Sequence, residues 1–268
     1  MKKIFLIFTL FLLSFTICSC KKDNENVIRV GASSTPHAEI LEQIKPILEE
    51  QGYTLEIVKI DDYTIPNTSL AQGSLDANYF QHLPFLNLYN SDNGTNLVSV
   101  GAIHYEPFGL YGNGITSLDE ATKQILIPND GSNRSRALLL LEQAGLITLK
   151  EGLDPAGDIT LNDVTSFNGF DIKELAAENI SSSLTYSEKG TLAVINGNYA
   201  LSAGISISTA LATEDVAGAA ATTYANIVAV RFENKDDAKI KALVDALRSD
   251  TIKNYINNTY EGAVKPAN

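Results

Sequence analysis

The sequence predicts an α/β protein, because an order of strand, helix and strand recurs along the chain. The apolar stretch VIRVGA at residues 27–32 predicts the first strand, and the alternating stretch YTLEIVKI at residues 53–60 predicts the second. Between them lies a segment that ends at Gly52 and is typical of an amphipathic helix. Its apolar residues at helical spacing are Ile40, Leu41, Ile44 and Leu48.

The same order recurs further along the chain. The strand ILIP at residues 125–128 precedes a helix predicted from about Ser132 to Gly145. LAVI at residues 192–195 precedes a turn and a helix, and NIVAVR at residues 226–231 precedes another helix. This alternation predicts largely parallel sheets, in which ligands bind where strands end and helices begin.

The N-terminus has the pattern of a lipoprotein signal peptide, predicted over residues 1–19. Two Lys precede an apolar run at residues 4–17, which is short for a membrane span. Cys20 follows, with Ser19 at position −1 and Ile17 at position −3, and this resembles the bacterial lipobox. A plain signal peptide with an incidental Cys is the alternative.

Cleavage before Cys20 would leave a lipid-anchored mature protein, with residues 20–26 as a polar tether. Acyl chains stabilise membrane binding by about 0.8 kcal/mol per buried CH₂ and need no spanning helix. We therefore expect the protein in the cell envelope, held by its lipid on the periplasmic or extracytoplasmic face of a bacterial membrane.

Charge and cysteine content exclude several classes of function. The full chain carries a net charge of −12, and loss of Lys2 and Lys3 with the signal peptide would change it to −14. A polyanion of this kind repels nucleic acid. The two Cys, Cys18 and Cys20, would leave the mature chain one thiol and no internal disulfide.

The sequence gives little support to catalysis or metal binding. It lacks the motifs G-x-S-x-G, H-E-x-x-H, C-x-x-C and G-x-G-x-x-G, and its three His form no i, i+4 pair. We therefore predict no enzyme, no cofactor and no metal site, unless distant residues converge on a metal. An enzyme with His82 or His104 as a general base is the alternative.

An aromatic stretch, DANYFQHLPFLNLY, occupies residues 76–89. Its first five residues predict a strand, on which Tyr79 and Phe80 point to opposite faces. One of the two would join the core, and the other would face a ligand together with His82 and Phe85. Packing of the whole stretch in the core is the alternative.

A cation stands near the start of the helix after ILIP, where the helix dipole favours anions. This residue, Arg136, lies beside the apolar run at residues 138–141 and so at the edge of the buried stripe. Its guanidinium could bind a ligand carboxylate through paired hydrogen bonds. A salt bridge to an Asp or Glu of the same fold is the alternative.

Further candidate residues stand at the other junctions. Asn196 follows LAVI and Asn226 begins NIVAVR, and their amides offer a donor and an acceptor to a zwitterion, or else form turns. Tyr63 follows the second strand, where it could line a cleft or pack on its own domain. His37, at the start of the first helix, is predicted to cap or to pack.

Eight motifs follow one another along the chain: TPHAEIL (35–41), DYTIPN (62–67), DANYFQHLPFL (76–86), HYEPFGLY (104–111), IPNDGSNRSRALLLL (127–141), LAVINGNYA (192–200), YANIVAVR (224–231) and GAVK (262–265). In these motifs the sequence resembles the methionine-binding lipoprotein family, the substrate-binding subunits of methionine ABC importers. The resemblance covers nearly the whole mature chain.

The resemblance implies a periplasmic-binding-protein-like fold, with two α/β lobes and a ligand cleft between them. Lobe 1 would comprise residues 27–112 plus 228–268, and lobe 2 residues 113–227. It also implies a binding protein that captures methionine, as the L and possibly also the D enantiomer, and delivers it to the permease and ATPase subunits of an importer. It implies no cofactor.

The resemblance further implies a role for each candidate. Arg136 would bind the ligand carboxylate, and Asn196 and Asn226 would hold the carboxylate and amino groups. Glu106 would bind the ammonium or only hold its own loop. The thioether would be surrounded by Tyr63, Phe80, His82 and Phe85.

Two positions depart from the family pattern. Gly131 stands where the family usually has Pro, and Phe108 stands where an aliphatic residue or Met is common. Either change could alter the pocket, so a methionine-containing dipeptide or another apolar amino acid is an alternative ligand. A surface lipoprotein that works mainly as an interaction protein is a further alternative.

Overall fold

The computed structural model of the protein describes residues 25–214 and 219–267. The predicted signal peptide at residues 1–19, the lipidation site Cys20 and most of the tether at residues 20–26 lie outside the described residues. In the part that is described, no helix has the length and apolar character needed to cross a membrane.

The strands are β1 (Val27–Ala32), β2 (Thr54–Lys59), β3 (Ala77–His82), β4 (Leu97–Tyr105), β5 (Gly109–Gly112), β6 (Gln124–Pro128), β7 (Thr148–Leu149), β8 (Val164–Ser166), β9 (Asp171–Leu175), β10 (Leu192–Ile195), β11 (Ala212–Thr213), β12 (Asn226–Arg231) and β13 (Lys265–Pro266).

The α-helices are α1 (Glu39–Glu50), α2 (Ile65–Ala71), α3 (Leu83–Asn93), α4 (Gly131–Gln143), α5 (Ala177–Thr185), α6 (Gly197–Ser202), α7 (Ala219–Thr223), α8 (Ala238–Leu247) and α9 (Asp250–Thr259). One π-helical turn, Ser34–Ala38, precedes α1. Short 3₁₀ turns lie at Leu118–Glu120, Leu161–Asp163, Ile207–Thr209 and Phe232–Asn234.

Two mixed sheets organise the fold. The strand order is β13-β4-β12-β3-β1-β2 in the first sheet and β11-β5-β10-β6-β9 in the second. The parallel pairs are β1 with β2 and β3, and β6 with β9 and β10. The prediction of largely parallel sheets was wrong, because the strands next to the passages between the sheets, β4, β5, β11 and β12, run antiparallel to their neighbours.

The chain passes between the two sheets twice, once between β4 and β5 and once between β11 and β12. Each sheet with its helices forms one α/β lobe, so the predicted two-lobe fold is confirmed. By sheet membership, β5 belongs to the second lobe and Asn226–Arg231 to the first. The predicted boundaries at residues 112 and 227 therefore lie a few residues beyond the two crossings.

Each lobe has its own apolar core. The predicted stripe on α1 is fully buried against the first sheet, together with the inner face of α8. In the second lobe, Leu138 and Leu141 of α4 pack with Ile125 and Val194 of the sheet. Burial of each such side chain contributes about 1.5–3 kcal/mol. The strand ends that face the other lobe are therefore held on two well-packed bodies.

Candidate functional site

All eight predicted site residues line one cavity between the two lobes: Tyr63, Phe80, His82, Phe85, Glu106, Arg136, Asn196 and Asn226. The cavity is narrow, since the centre of a water-sized sphere can occupy only about 20 Å³ of it. This is room for about one water molecule. The structure thus brings the predicted residues together, while their role in binding a ligand stays a prediction.

The side of the cavity formed by the first lobe carries four rings, which we call the aromatic wall: Tyr63, Phe80, His82 and Phe85. The rings of Tyr63, Phe80 and Phe85 lie pairwise 5.8 Å apart between centroids. They come together because α3 starts directly after β3, and Nδ1 of His82 accepts the Phe85 N–H at this start, 3.3 Å away.

The alternation predicted for β3 explains which ring reaches the cavity. Phe80 lines the cavity, whereas Tyr79 is completely buried in the core of the first lobe. On that side the Tyr79 hydroxyl is hydrogen-bonded to Nδ1 of His104.

The second lobe faces this wall with polar side chains, which we call the polar wall: Asn133, Arg136, Asn196 and Asn198. The first two lie on α4, which follows β6, and the other two lie at the start of α6, which follows β10. Asp130 caps α4 by accepting the Asn133 N–H at 3.0 Å. The polar wall thus stands where two neighbouring parallel strands end.

Arg136 is paired with a carboxylate of its own fold, Glu214. Its Nε donates to Oε1 of Glu214 at 2.6 Å, and its Nη2 donates to Oε2 at 2.6 Å and to the carbonyl of Glu106 at 2.7 Å. Burial opposes the charged guanidinium, but the charge and hydrogen bonds of Glu214 outweigh burial and raise the pKa of Arg136. The alternative of an internal salt bridge is therefore present in the structure.

Glu214 is a site residue that the sequence reasoning missed. It lies at the second crossing, is 7% exposed, and also accepts hydrogen bonds from the Tyr105 hydroxyl and the Phe108 N–H at the first crossing. It therefore ties the two crossings to Arg136. The two acids of the stretch LATED, Glu214 and Asp215, follow no motif, so the sequence gives no signal that one of them is such a partner.

Glu106 is the second buried carboxylate of the site. Its Oε1 accepts from Nε2 of His104 at 2.7 Å and lies 3.5 Å from Nε2 of His37. Burial raises the pKa of Glu106, and nearby His37, the charge of Arg136 and the Asn198 N–H oppose that rise. Gly197 permits this approach, because a Cβ there would meet Glu106 at 2.7 Å.

The three histidines of the site are held in the neutral form. Burial lowers the pKa of His37 to about 4 and that of His104 to about 3. Burial and then the charge of Arg136 lower the pKa of His82 to about 3. Protonation on Nε2 suits His37 and His104, because each then donates to an oxygen and accepts a hydroxyl proton at Nδ1.

His37, His104 and Glu106 also place three potential metal ligands within 4.8 Å of one another. Distant residues do converge here, as a metal site would require. However, each of the three ligand atoms already takes part in a hydrogen bond. The trio is therefore complete as a hydrogen-bonded network, and the absence of a metal stays a prediction.

Several amide atoms at the cavity have unused hydrogen-bonding capacity. Oδ1 of Asn196 is buried and has no hydrogen-bond partner among the described residues. Asn226 accepts from Nε2 of His37 through its Oδ1, at 3.0 Å, which leaves its Nδ2 available as a donor. Asn226 reaches this place because β12 pairs it with His82 on one side and with His104 on the other.

The two walls touch each other directly. The Tyr63 hydroxyl donates to Oδ1 of Asn198 at 2.6 Å, and Nε2 of His82 lies 3.2 Å from Oδ1 of Asn133. Outside these contacts, the Tyr199 hydroxyl donates to the carbonyl of Asp61 at 3.0 Å. The lobes are therefore closed on each other. Further lining residues that the sequence reasoning did not select are Gln81, Phe108, Asn133, Gly197 and Asn198.

Two α/β lobes, two crossings and a closed cleft with one aromatic and one polar wall define the class of substrate-binding proteins. Comparison with solved structures agrees. The chain is similar to an ABC transporter periplasmic substrate-binding protein from Coxiella burnetii, with 39% identity, a TM-score of 0.81, and coverage of 90% of this chain and 100% of that one. It is also similar to a nutrient-binding protein from Burkholderia cenocepacia bound to methionine. The two share 33% identity with a TM-score of 0.83, and the match covers 90% of this chain and 100% of that one.

The model of the family described as NlpA lipoprotein matches residues 28–268. The chain is 38% identical to the methionine-binding lipoprotein MetQ of Bacillus subtilis (strain 168), over 99% of each chain. The chain therefore belongs to the NlpA lipoprotein family, which confirms the resemblance that the eight motifs indicated.

Proposed function

We propose that this protein is the lipid-anchored substrate-binding subunit of an ABC importer, that it captures methionine between the two walls, and that it delivers methionine to a permease. The observation that carries the proposal is the match of unused polar atoms to a zwitterion beside an aromatic wall. The named relatives, which are methionine-binding lipoproteins and a transporter substrate-binding protein, support the same assignment.

The ligand carboxylate would accept hydrogen bonds from Nη1 of Arg136 and Nδ2 of Asn226. The ammonium would donate to Oδ1 of Asn196 and to the carboxylate of Glu106. The thioether would lie against the aromatic wall, where each contact of sulfur with a ring contributes about 0.3–1.5 kcal/mol.

Neither the apolar contacts nor the hydrogen bonds to the ligand reach submicromolar affinity alone. Burial of a Met-sized side chain contributes about 1.5–3 kcal/mol, and a hydrogen bond to a charged group about 1.5–3 kcal/mol. Submicromolar binding requires more than about 8 kcal/mol after the costs of association and closure. Both walls must therefore hold the same molecule.

Entry of the ligand requires the lobes to separate, because the closed cavity has room for about one water. A ligand that contacts both walls would favour the closed state, and the contacts of Tyr63 and His82 across the cleft would add to it. The permease would then distinguish loaded from empty protein by lobe position.

A longer ligand is the second candidate. A larger cavity, with about 550 Å³ open to the centre of a water-sized sphere, adjoins the first one beyond Tyr63 and Phe85. A methionine-containing dipeptide could extend into it.

Calorimetric titration of ligand-stripped protein tests the proposal. The panel consists of L-methionine, D-methionine, methionine-containing dipeptides, leucine and norleucine. We expect L-methionine to bind more tightly than leucine, and mass spectrometry of protein purified without added ligand to detect methionine. No heat with L-methionine, together with binding of another panel member, would contradict methionine as the ligand.

A further inference from the structure

Arg136 reaches the cavity with most of its hydrogen-bonding capacity already used. Its Nε and Nη2 are occupied by Glu214 and the carbonyl of Glu106. Its guanidinium carbon lies 4.0 Å from the ring centroid of Phe108 and 4.6 Å from that of Tyr224. Nη1 makes no hydrogen bond with Glu214 or Glu106, and the Tyr105 hydroxyl also lies within hydrogen-bonding reach of the guanidinium. A ligand carboxylate can therefore reach the guanidinium at Nη1 but cannot form the two-pronged contact.

The charges around the cavity do not favour an anion. Arg136 and Glu214 are 4% and 7% exposed and cancel each other at 2.6 Å. His37, His82 and His104 are neutral, as their hydrogen bonds and low pKa values indicate. Glu106 remains: burial raises its pKa, and the N–H groups of His104 and the Asn198 backbone, with nearby His37, oppose that rise, so its oxygens act as hydrogen-bond acceptors.

The described part of the site therefore offers no uncompensated positive charge to an anion, whereas it offers two acceptors, the carboxyl group of Glu106 and Oδ1 of Asn196, which is buried and has no partner. Both suit a cation. A carboxylate meets a guanidinium whose charge is already neutralised, and its contact gains correspondingly less.

We propose that the site selects its ligand by the ammonium group rather than by the carboxylate, and that Glu214 is the positioning residue that sets this preference through Arg136. This inference rests on the proposed function. The substrate class is a primary ammonium compound with a thioether or similar apolar side chain, whose carboxyl end is either ionised or neutral. N-acylated anions are excluded.

A ligand panel on the wild-type protein tests the preference. At pH 6, where α-amino groups are protonated, ligand-stripped protein is titrated with L-methionine, L-methioninamide and N-acetyl-L-methionine. We expect methioninamide to bind within about tenfold of methionine, and N-acetylmethionine to bind at least about 100-fold more weakly than methionine. N-acetylmethionine binding as tightly as methioninamide, or more tightly, overturns the inference. Absence of binding by L-methionine itself contradicts the proposed function instead.

The variant Glu214→Gln tests the positioning role. Gln keeps the shape of Glu but carries no charge, so the positive charge of Arg136 is no longer compensated. The affinity of methionine relative to methioninamide should therefore rise at least about tenfold. Glu188→Gln makes the same charge change at an exposed residue of the same lobe and should leave this ratio unchanged. A purely structural role of Glu214 would weaken both ligands equally, and that result overturns its assignment. If the variant fails to fold, the wild-type panel still decides the preference.

Discussion

The two walls of the cleft are built in opposite ways. In the aromatic wall the rings contact each other, and both ring nitrogens of His82 take part in hydrogen bonds. In the polar wall, Oδ1 of Asn196 has no partner among the described residues, and Nη1 of Arg136 makes no hydrogen bond with Glu214 or Glu106. The aromatic wall thus offers contact area to any apolar side chain of suitable size, whereas the polar wall determines which end groups the ligand must have.

This difference predicts that substitutions in the polar wall lower methionine affinity more than substitutions in the aromatic wall do. Arg136→Ala removes the cation and leaves the carboxylate of Glu214 buried without a partner. We expect methionine affinity to fall at least about 100-fold. The free energy of unfolding should fall by roughly 3–5 kcal/mol, because an unpaired buried charge is costly. Calorimetry and urea denaturation measure the two losses.

A double variant separates binding from folding in this test. Arg136→Met combined with Glu214→Gln removes both charges and keeps similar volumes, so most of the stability should return. Methionine affinity should stay up to about tenfold below that of the wild type, because the contact with the carboxylate is lost. Wild-type affinity in the double variant would remove Arg136 from the ligand site.

A substitution in the aromatic wall should lower methionine affinity less than Arg136→Ala does, and it leaves the pair of Arg136 and Glu214 intact. Phe80→Ala removes a ring that contacts Tyr63 and Phe85, and we expect methionine affinity to fall roughly 10- to 100-fold. Phe167→Ala, at a ring that is 37% exposed, is the matched control. Equal affinities of the two variants, measured by calorimetry, would show that the thioether lies elsewhere.

Acidification should destabilise the first lobe's side of the site, which holds the three neutral histidines. The folded state holds the pKa values of His37, His82 and His104 at about 4, 3 and 3, below the ordinary value of 6.5. The unfolded chain then binds more protons, so stability is complete above about pH 6.5 and is lost as pH falls toward 4. The raised pKa of Glu106 acts in the opposite direction.

Each histidine that stays neutral between pH 6.5 and 4 contributes about 3 kcal/mol, and Glu106 offsets about one such contribution at most. We therefore expect a net loss of several kcal/mol over this range, measured by urea denaturation at several pH values. His82→Asn is the control, because Asn also caps helices, and its stability should depend less on pH. Stability that rises on acidification over this range would contradict the assignment of neutral histidines.

The smallest expected loss of methionine affinity comes from removing a hydrogen bond between the two walls. Tyr63→Phe removes the hydroxyl that donates to Asn198 across the cleft but keeps the ring. One hydrogen bond contributes about 0.5–1.5 kcal/mol, so we expect a loss of roughly 2- to 10-fold in methionine affinity. Small-angle scattering without ligand should detect a more open average shape. An unchanged affinity would mean that this contact does not contribute to closure.

The sequence predicted the aromatic wall better than the polar wall, for a physical reason. Phe80, His82 and Phe85 lie in one continuous stretch, where strand alternation and the start of a helix fix their directions locally. Arg136, Asn196 and Asn226 were identified because they stand at strand ends. Their partners could not be predicted, since hydrogen bonds to Glu214 and His37 depend on the path of the crossings.

Prediction of the fold from the sequence also succeeded for local features and failed for long-range ones. The helices and parallel strands were predictable from hydrophobic periodicity within short segments. The antiparallel strands β4 and β5 at the first crossing were not, because pairing across distant segments leaves no local pattern. Glu214 was missed for the same reason.

A crystal structure of ligand-stripped protein soaked with L-selenomethionine tests the central claim most directly. Protein produced with ordinary methionine contains no selenium, so every selenium peak reports soaked ligand. We expect one anomalous peak in van der Waals contact with the rings of Tyr63, Phe80 and Phe85, with the carboxylate at Nη1 of Arg136. A peak beside the polar wall, or outside the cleft, would contradict the proposal that the two walls hold opposite ends of one zwitterion.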